Sequence, residues 1–146
     1  MKRRRLKFSE YYNNIILTEI AHIYDVDIDK IFLGSRKKSI IHAKRMYIYI
    51  LREMFDLTLK QISGITNLHH ASVIHHTRQF EFFYNHYNKD LKEFQKIENR
   101  VIEVEIDEEI EGLEKQLKTI TEQLNKLYKI NKTKNEREKR ENLLTE

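Results

Sequence analysis

The apolar residues of this chain recur at intervals of three and four over most of its length, which is the spacing of one face of an α-helix. Ser9 can cap a first helix that runs to about Tyr24, with isoleucines at helical spacing along one side. Residues 27–32 are expected to form a short second helix, which Leu33-Gly34-Ser35 ends. The pattern predicts an all-α fold.

A longer helix is expected over residues 40–55, after a basic loop and with Ser39 as its cap. Its predicted apolar face comprises Ile40, Ala43, Met46, Tyr47, Ile50, Leu51 and Met54. The next stretch, Thr58-Leu59-Lys60-Gln61, matches a capping box, in which the Thr and Gln side chains bond each other's backbone N–H groups. It predicts a short helix over residues 59–64.

A turn is expected over residues 64–68, and another helix begins near His69. No breaker interrupts that helix before about Gln95, and its aromatic residues keep helical spacing. A short helix, a tight turn and a second helix with a polar first turn form the helix-turn-helix pattern.

Beyond residue 95 the spacing of apolar residues changes twice. Residues 101–106 alternate between apolar and polar, which fits either a strand or a kink between helices. A seven-residue repeat follows, with Ile106, Ile110, Leu113, Leu117, Ile120, Leu124, Leu127 and Asn131 at its a and d positions. The repeat predicts a short coiled coil. Glu109 and Glu114 would face each other as like charges in a parallel dimer, so antiparallel and trimeric packing stay open.

Composition excludes several classes of chemistry. The chain has no Cys and no Pro, and its glycines are Gly34, Gly64 and Gly112. Disulfides and thiolate zinc sites are therefore excluded, and no phosphate-binding loop or dinucleotide fingerprint can be written. No apolar run approaches the roughly 20 residues that span a bilayer. No nucleophile–base constellation is present either, so we expect a protein that is not an enzyme and has no cofactor. The absence of Cys fits a cytoplasmic protein, which is the location we expect.

The formal charge of +4 conceals an asymmetry. Residues 1–78 carry 14 Lys and Arg against 7 Asp and Glu, whereas residues 79–146 carry 13 against 16. Six of the seven His also lie in the first part. Two His pairs, at 69–70 and 75–76, are separated by 5 to 7 residues rather than the 3 or 4 that suit helical metal ligands, so no metal site is expected. The basic excess points to a polyanionic partner for the N-terminal half.

Three stretches carry a more specific signal. The sequence IAHIYDV at residues 20–26 is similar to V-A-x-Y-Y-x-[IV]. GSRKKSIIHAKRM at 34–46 is similar to K-x-R-x-R-x-[IV]-x-x-[PA]-R-Q-[IV]-[AM], and HASVIHHTR at 70–78 to D-H-[ST]-T-V-L-H-A-x-R. These patterns occur in this order in the C-terminal DNA-binding domain of the bacterial replication initiator DnaA, which the chain resembles. The resemblance implies a Trp-repressor-like helix-turn-helix domain, followed here by a long helix and a coiled coil. It also implies sequence-specific binding to double-stranded DNA in replication initiation or its regulation.

The resemblance and the charges together name the residues expected to position DNA: Arg36, Lys37, Lys38, Lys44, Arg52, Lys60 and His75. Arg36 matches a loop Arg that enters the minor groove in the family, and its two lysine neighbours add charge there. Lys44 and Arg52 match positions that contact the DNA backbone, and His75 matches the His of the signature helix and is expected to donate to a phosphate. Bases are expected to be read by the first turn of the following helix, which comprises His69, His70, Ala71 and Ser72.

Several departures from the family pattern fall on base-reading and helix-entry positions. The family's G-G-R-D-H becomes Thr66-Asn67-Leu68-His69-His70, and Ala71 replaces the first hydroxyl of the [ST]-T pair. The turn is also one residue shorter, so the DNA target is expected to differ. No stretch resembles the family's nucleotide-binding motor domain, and we therefore expect neither nucleotide binding nor ATP-driven origin opening.

These observations divide the chain into a basic disordered arm (1–8), a helix-turn-helix DNA-binding domain (9–95), a coiled-coil segment (96–130) and a frayed polar tail (131–146). The expected partners are double-stranded DNA and, through residues 106–131, either a second copy or another protein. The abundance of Ile, Lys, Asn and Tyr suits an AT-rich bacterial or phage genome. The alternative is a coiled-coil interaction protein, or a transcriptional regulator, with a degenerate DNA-binding domain.

Overall fold

The computed structural model describes residues 6–145, apart from the side chain of Asn88. Over this range the fold consists of five α-helices and a 3-10 helix, with no strand. The elements in chain order are α1 (Glu10–Tyr24), the 3-10 helix (Ile28–Lys30), α2 (Lys38–Phe55), α3 (Leu59–Thr66), α4 (His70–His86) and α5 (Asn88–Thr145). The prediction of an all-α fold is confirmed. None of the described helices is long and apolar enough to cross a membrane.

The described residues divide into two compact units, with the boundary inside α5 between Glu103 and Val104. The first unit contains α1 to α4 and the first turns of α5. The second unit is the remainder of α5.

Helix α2 is the centre of the first unit. Every residue from Met46 to Leu51 is buried, and a helix that is buried all round must be covered by other elements on several sides. Helices α1, α3 and α4 all pack against it. The seven residues of its predicted apolar face are all buried, which confirms that prediction.

The first turns of α5 complete this core. Phe94, Ile97 and Val101 are at most 1% exposed and follow each other at three and four residues, so they share one helical face. Arg100 also lies 3.8 Å from Glu19 of α1 in an ion pair. Residues 101–106 are therefore helical, and the strand alternative suggested by their alternation is wrong because the helical face already present at Phe94 continues through them.

Two predicted helix starts are confirmed and one is wrong. Ser9 caps α1 by accepting the N–H of Tyr12 at 3.3 Å, and Thr58 and Gln61 form the capping box of α3. Ser39, however, is the second residue of α2 and not its cap. The helix begins two residues earlier than predicted, at Lys38, and its cap residue Lys37 donates its N–H to Ser35 Oγ at 3.2 Å.

The helix ends depend on polar residues in the left-handed conformation. Asp25, Asp56 and Asn67 end α1, α2 and α3 with φ of 51°, 52° and 55°. Asn and Asp tolerate this region better than other residues with a Cβ. Gly64, which was expected in the turn, lies inside α3, so the predicted end of this helix at residue 64 is two residues early.

Helix α4 ends before the pattern predicts. Tyr87 adopts an extended backbone with φ −129° and ψ 117°, which separates α4 from α5. The predicted continuous helix to Gln95 is therefore interrupted. Because α5 resumes at the next residue, the spacing of apolar residues continues across the break and does not reveal it.

The two ends of the described chain differ in their contacts. Within the arm predicted as disordered, Met1 to Arg5 lie outside the described residues, but the N–H of Leu6 bonds the Met54 carbonyl at 3.0 Å and Phe8 packs edge-on against Phe55. At the other end, the predicted frayed tail is helical to Thr145 and exposed.

Candidate nucleic-acid interface

The core of the motif is α3, a three-residue turn and α4. Ile62 of α3 and Val73 and Phe80 of α4 are buried, which fixes the two helices against each other and against α2. The buried hydroxyl of Thr77 donates to the Val73 carbonyl at 2.9 Å, and the Ser63 hydroxyl donates to the Leu68 carbonyl across the turn. These contacts hold the first turn of α4 in a fixed position relative to α2 and α3.

The first turn of α4 lies at the surface. His69, His70 and Ala71 are exposed and Ser72 is half-buried, which is where a base-reading helix needs its polar groups. His69 is also the helix cap, because its Nδ1 accepts the N–H of Ala71 at 3.2 Å. An accepting Nδ1 is unprotonated, so Nε2 carries the hydrogen and is the donor that remains for another partner.

Three exposed cations lie in the loop before α2 and at the first residue of that helix. Arg36, Lys37 and Lys38 are all exposed, and Lys37 occupies the cap position of α2 without a side-chain capping bond. Their exposure is what contact with a phosphate or with a groove requires.

Arg52 and Lys60 are brought together in the structure. Both are exposed, and they line one surface concavity of about 610 Å³ at the junction of α2 and α3. Glu53 and Asp56 line the same concavity. The acids reduce the positive potential there, so these two cations form a weaker anion site than their own charges suggest.

Lys44 does not lie on an exposed helix face as its neighbours in sequence suggest. The residue is only 7% exposed, and burial lowers the pKa of its ammonium group. A lysine in this position buries its stem against the core and keeps its charge close to the surface. Any anion that it binds must therefore approach closely between α2 and α4.

Three further basic residues, Arg45, His75 and His76, lie near Lys44. Burial, followed by the charges of Arg45, Lys44 and His75, lowers the pKa of His76 to about 4. The Arg45 guanidinium lies 5.8 Å from the ring centre of Phe83, which is a cation–π distance. We call Lys44, Arg45, His75 and His76 the α2–α4 cation cluster, in which His76 is a neutral hydrogen-bonding group near pH 7 because its pKa is about 4.

The α2–α4 cation cluster has unused hydrogen-bonding capacity. Arg45 Nε and His76 Nδ1 are buried and have no hydrogen-bond partner among the described residues. Burying polar atoms without partners costs free energy, and a phosphate oxygen could satisfy both the charge and the hydrogen bonds of such a cluster. The cluster is therefore suited to binding an anion.

Sequence reasoning missed two members of this cluster. Arg45 stands where the family pattern has Gln, and His76 stands where it has Ala. The two departures are 31 positions apart along the chain, but they lie on facing helices. The signal available in the sequence was that each of these two stretches has a basic residue where the family pattern has an uncharged one.

A second cavity, of about 440 Å³, is lined by Tyr24, His42, Phe83 and Glu93 among others, and by none of the residues predicted to bind DNA. Burial, and then the nearby Glu93 carboxylate, raise the pKa of the Tyr24 hydroxyl. Glu93 lies close enough to Tyr24 to affect its hydroxyl. The Tyr24 hydroxyl and Glu93 Oε2 are both buried, and neither makes a hydrogen bond of normal geometry among the described residues. In the part of the chain that the structure describes, no group of His, Asp or Glu is arranged to hold a metal ion.

The fold and this surface together define a helix-turn-helix protein. Residues 14–79 match the family model for the helix-turn-helix of the bacterial DnaA protein. The match covers α1, α2 and α3 apart from the first residues of α1, together with the part of α4 that carries the exposed first turn and the two histidine pairs. The resemblance expected from the sequence is therefore confirmed over this segment.

Two curated relatives also match part of the chain. The chromosomal replication initiator protein DnaA of Kosmotoga olearia is 31% identical over 68 residues, which are 47% of this chain and 15% of that protein. The protein of the same name from Cutibacterium acnes is 25% identical over 87 residues, which are 59% of this chain and 17% of that protein. The chain thus spans less than a fifth of these relatives.

Proposed function

We propose that the first unit binds double-stranded DNA and acts in the initiation of replication or in its regulation. The observation that carries the proposal is the exposed first turn of α4, a helix that packs on the buried α2 and also carries His75 and His76 of the α2–α4 cation cluster. The match to the DnaA helix-turn-helix and the names of the relatives support the DNA target and the biological setting. This is a binding function in the cytoplasm, and we propose no reaction.

The proposed complex separates positioning from base reading. The α2–α4 cation cluster binds a backbone phosphate, with Lys44 and His75 as direct contacts and Arg45 and His76 behind them. Arg36 enters the minor groove while Lys37 and Lys38 contact its edges, and Arg52 and Lys60 contact the backbone farther along. His70, Ser72 and Nε2 of His69 offer hydrogen bonds to base edges in the major groove, and Ala71 offers an apolar contact to a thymine methyl.

The exposed seam of α5 favours a second role. Its a and d residues from Ile106 to Leu127 are between 45% and 65% exposed in the second unit. A regular row of seven exposed aliphatic side chains costs solubility unless another helix covers it. We propose that residues 106–131 bind a second copy or a partner protein, and that the chain joins a DNA-binding unit to an interaction helix.

Salt dependence tests the proposal of DNA binding. Fluorescence anisotropy with a random-sequence duplex, over a series of salt concentrations, gives the slope of log K against log[salt]. Each neutralised phosphate contributes about −0.9 to the slope, so six Lys and Arg contacts predict a slope of roughly −5. These six are Arg36, Lys37, Lys38, Lys44, Arg52 and Lys60. A slope near zero is expected if the helix-turn-helix only stabilises the fold and does not bind DNA.

A matched control uses a lysine in the second unit. Lys126→Ala on α5 should leave the slope unchanged, whereas Lys38→Ala at the start of α2 should reduce its magnitude by about 1. The absence of any binding at low salt would overturn the proposal. Equal effects of the two variants would assign binding to diffuse charge rather than to the surface proposed.

A further inference from the structure

We infer that the second unit pairs with a second copy of itself in an antiparallel coiled coil, in which Leu113 of each chain faces Leu124 of the other. The inference rests on the proposed interaction role of α5 and is independent of DNA binding. It is argued from the order of the apolar residues and from the distribution of charge along the helix.

The seam is self-complementary when it is reversed. The intervals between successive a and d residues are 4, 3, 4, 3, 4, 3 and 4, a series that is the same in both directions. An antiparallel partner therefore sets a positions against d positions without a gap. Ile110 meets Leu127, Leu113 meets Leu124 and Leu117 meets Ile120, each twice in a symmetric pair.

The charges of the helix are segregated in a way that favours this direction. Residues 105–114 include six acidic and no basic residues, and residues 123–134 include four lysines and no acidic residue. Antiparallel pairing places the acidic tract of each copy beside the basic tract of the other. Parallel pairing, in a dimer or a trimer, places six acids of one copy beside the same six of the next, which is unfavourable.

The positions that flank the seam agree with this direction. In a parallel dimer Glu109 of one copy faces Glu114 of the other. In the antiparallel register Glu109 instead faces Ile130, and Glu114 faces Thr121. Both acids lose a like-charged neighbour, and Ile130, which is 64% exposed in the single chain, gains cover from the Glu109 stem.

Asn131 is the one seam residue that would favour the parallel arrangement, because paired Asn side chains at a positions can bond each other. It lies at the end of the repeat, where it meets Ile106 in the antiparallel register. A single hydrogen bond at one end does not compensate for a tract of six facing acids. The charge distribution therefore decides the direction.

Cysteine cross-linking tests the direction, because the chain contains no native Cys. Full-length Leu113→Cys and Leu124→Cys proteins, distinguished by mass tags, are unfolded, mixed, refolded and oxidised. The expected product is a disulfide that joins Leu113→Cys to Leu124→Cys, and little product from either variant alone. In the antiparallel register two copies of residue 113 are separated by 11 helical positions, or about 16 Å, which no disulfide spans.

Lys115→Cys is the matched control, since its side chain lies on the opposite face of the same helix and should cross-link with neither variant. A Leu113→Cys homodimer formed in preference to the mixed product would overturn the antiparallel inference, while a dimeric mass would retain the interaction role. A monomeric mass for the unmodified protein at all accessible concentrations would overturn both. Neither result bears on DNA binding, which is measured separately.

Discussion

His69 caps α4 through its ring, with Nδ1 accepting the backbone N–H of Ala71 at 3.2 Å. The family pattern has Asp at this position, and a carboxylate is a stronger acceptor for the free N–H groups of a helix start. This chain therefore keeps the cap with a different side chain. The exchange also removes a negative charge from the surface proposed to meet DNA.

Replacement of His69 tests the cap. His69→Asp should raise the free energy of unfolding of the first unit by about 0.5–1 kcal/mol, and His69→Ala should lower it by a similar amount, since Asp is among the best cap residues and Ala among the poorest. Urea denaturation followed by circular dichroism measures both. His70→Ala is the control, because His70 is exposed and makes no capping bond in the described structure. If His69→Ala and His70→Ala have the same effect, His69 is not the cap.

Two neighbouring substitutions in the motif should have opposite effects on stability. Gly64 lies inside α3 with space for a Cβ, so Gly64→Ala should stabilise the first unit by about 0.5–1 kcal/mol. Asn67 has φ of 55°, so Asn67→Ala should destabilise it by about 1 kcal/mol. Urea midpoints at constant m value measure both. Stabilisation by Asn67→Ala would place the end of α3 elsewhere.

The parts of the fold that sequence predicts well are those that local chemistry determines. Ser9 and the Thr58–Gln61 capping box act within a single helical turn, so their spacing identifies them directly. The apolar face of α2 is also correct, although Ile48 and Tyr49 outside that face are buried as well. By contrast, the Tyr87 break changes one residue's backbone without altering the apolar spacing, and no local signal marks it.

The candidate site shows the same division. Exposure of the α4 first turn and of Arg36 follows from their places at a helix start and in a loop. The burial of Lys44 does not, since it depends on how α4 covers α2. The meeting of Arg45 and His76 likewise depends on packing between helices that are far apart in sequence. Long-range contacts of this kind require the structure.

The low pKa of His76 predicts how stability depends on pH. Its pKa is about 4 in the folded protein and about 6.5 in the unfolded chain, so the unfolded chain binds the proton first as pH falls. Stability should therefore be fully present above about pH 6.5 and fall progressively until about pH 4, by on the order of 2 kcal/mol, because solvent screening at the half-buried ring reduces the effect of the full pKa shift. Urea denaturation across this range measures the loss.

His76→Ala should remove most of that pH dependence between about 6.5 and 4, because the family's own residue at this position cannot be protonated. His22→Ala is the matched control, since His22 is exposed on α1 and should leave the pH profile as it is. The comparison between variants cancels the contribution of carboxylates that titrate in the same range. Parallel pH profiles for the unmodified protein and His76→Ala would show that His76 is not the group responsible.

The proposed division between positioning and reading predicts different consequences for Lys44 and His70. Lys44→Met keeps the volume of a 7% exposed stem and removes its charge, so it should weaken binding to every duplex by about tenfold and reduce the magnitude of the salt slope by about 1. His70→Ala should instead change the sequences recovered when the protein selects from a random duplex pool, while affinity for random DNA changes little.

Lys92→Met controls for loss of a positive charge in the first unit, because Lys92 is exposed on α5 and lies outside the proposed surface. Anisotropy with random and selected duplexes measures all three variants. The reverse result, in which Lys44→Met changes sequence preference and His70→Ala weakens all complexes equally, would place the bases against α2 and the backbone against α4. The orientation of the motif on DNA would then be opposite to the one proposed.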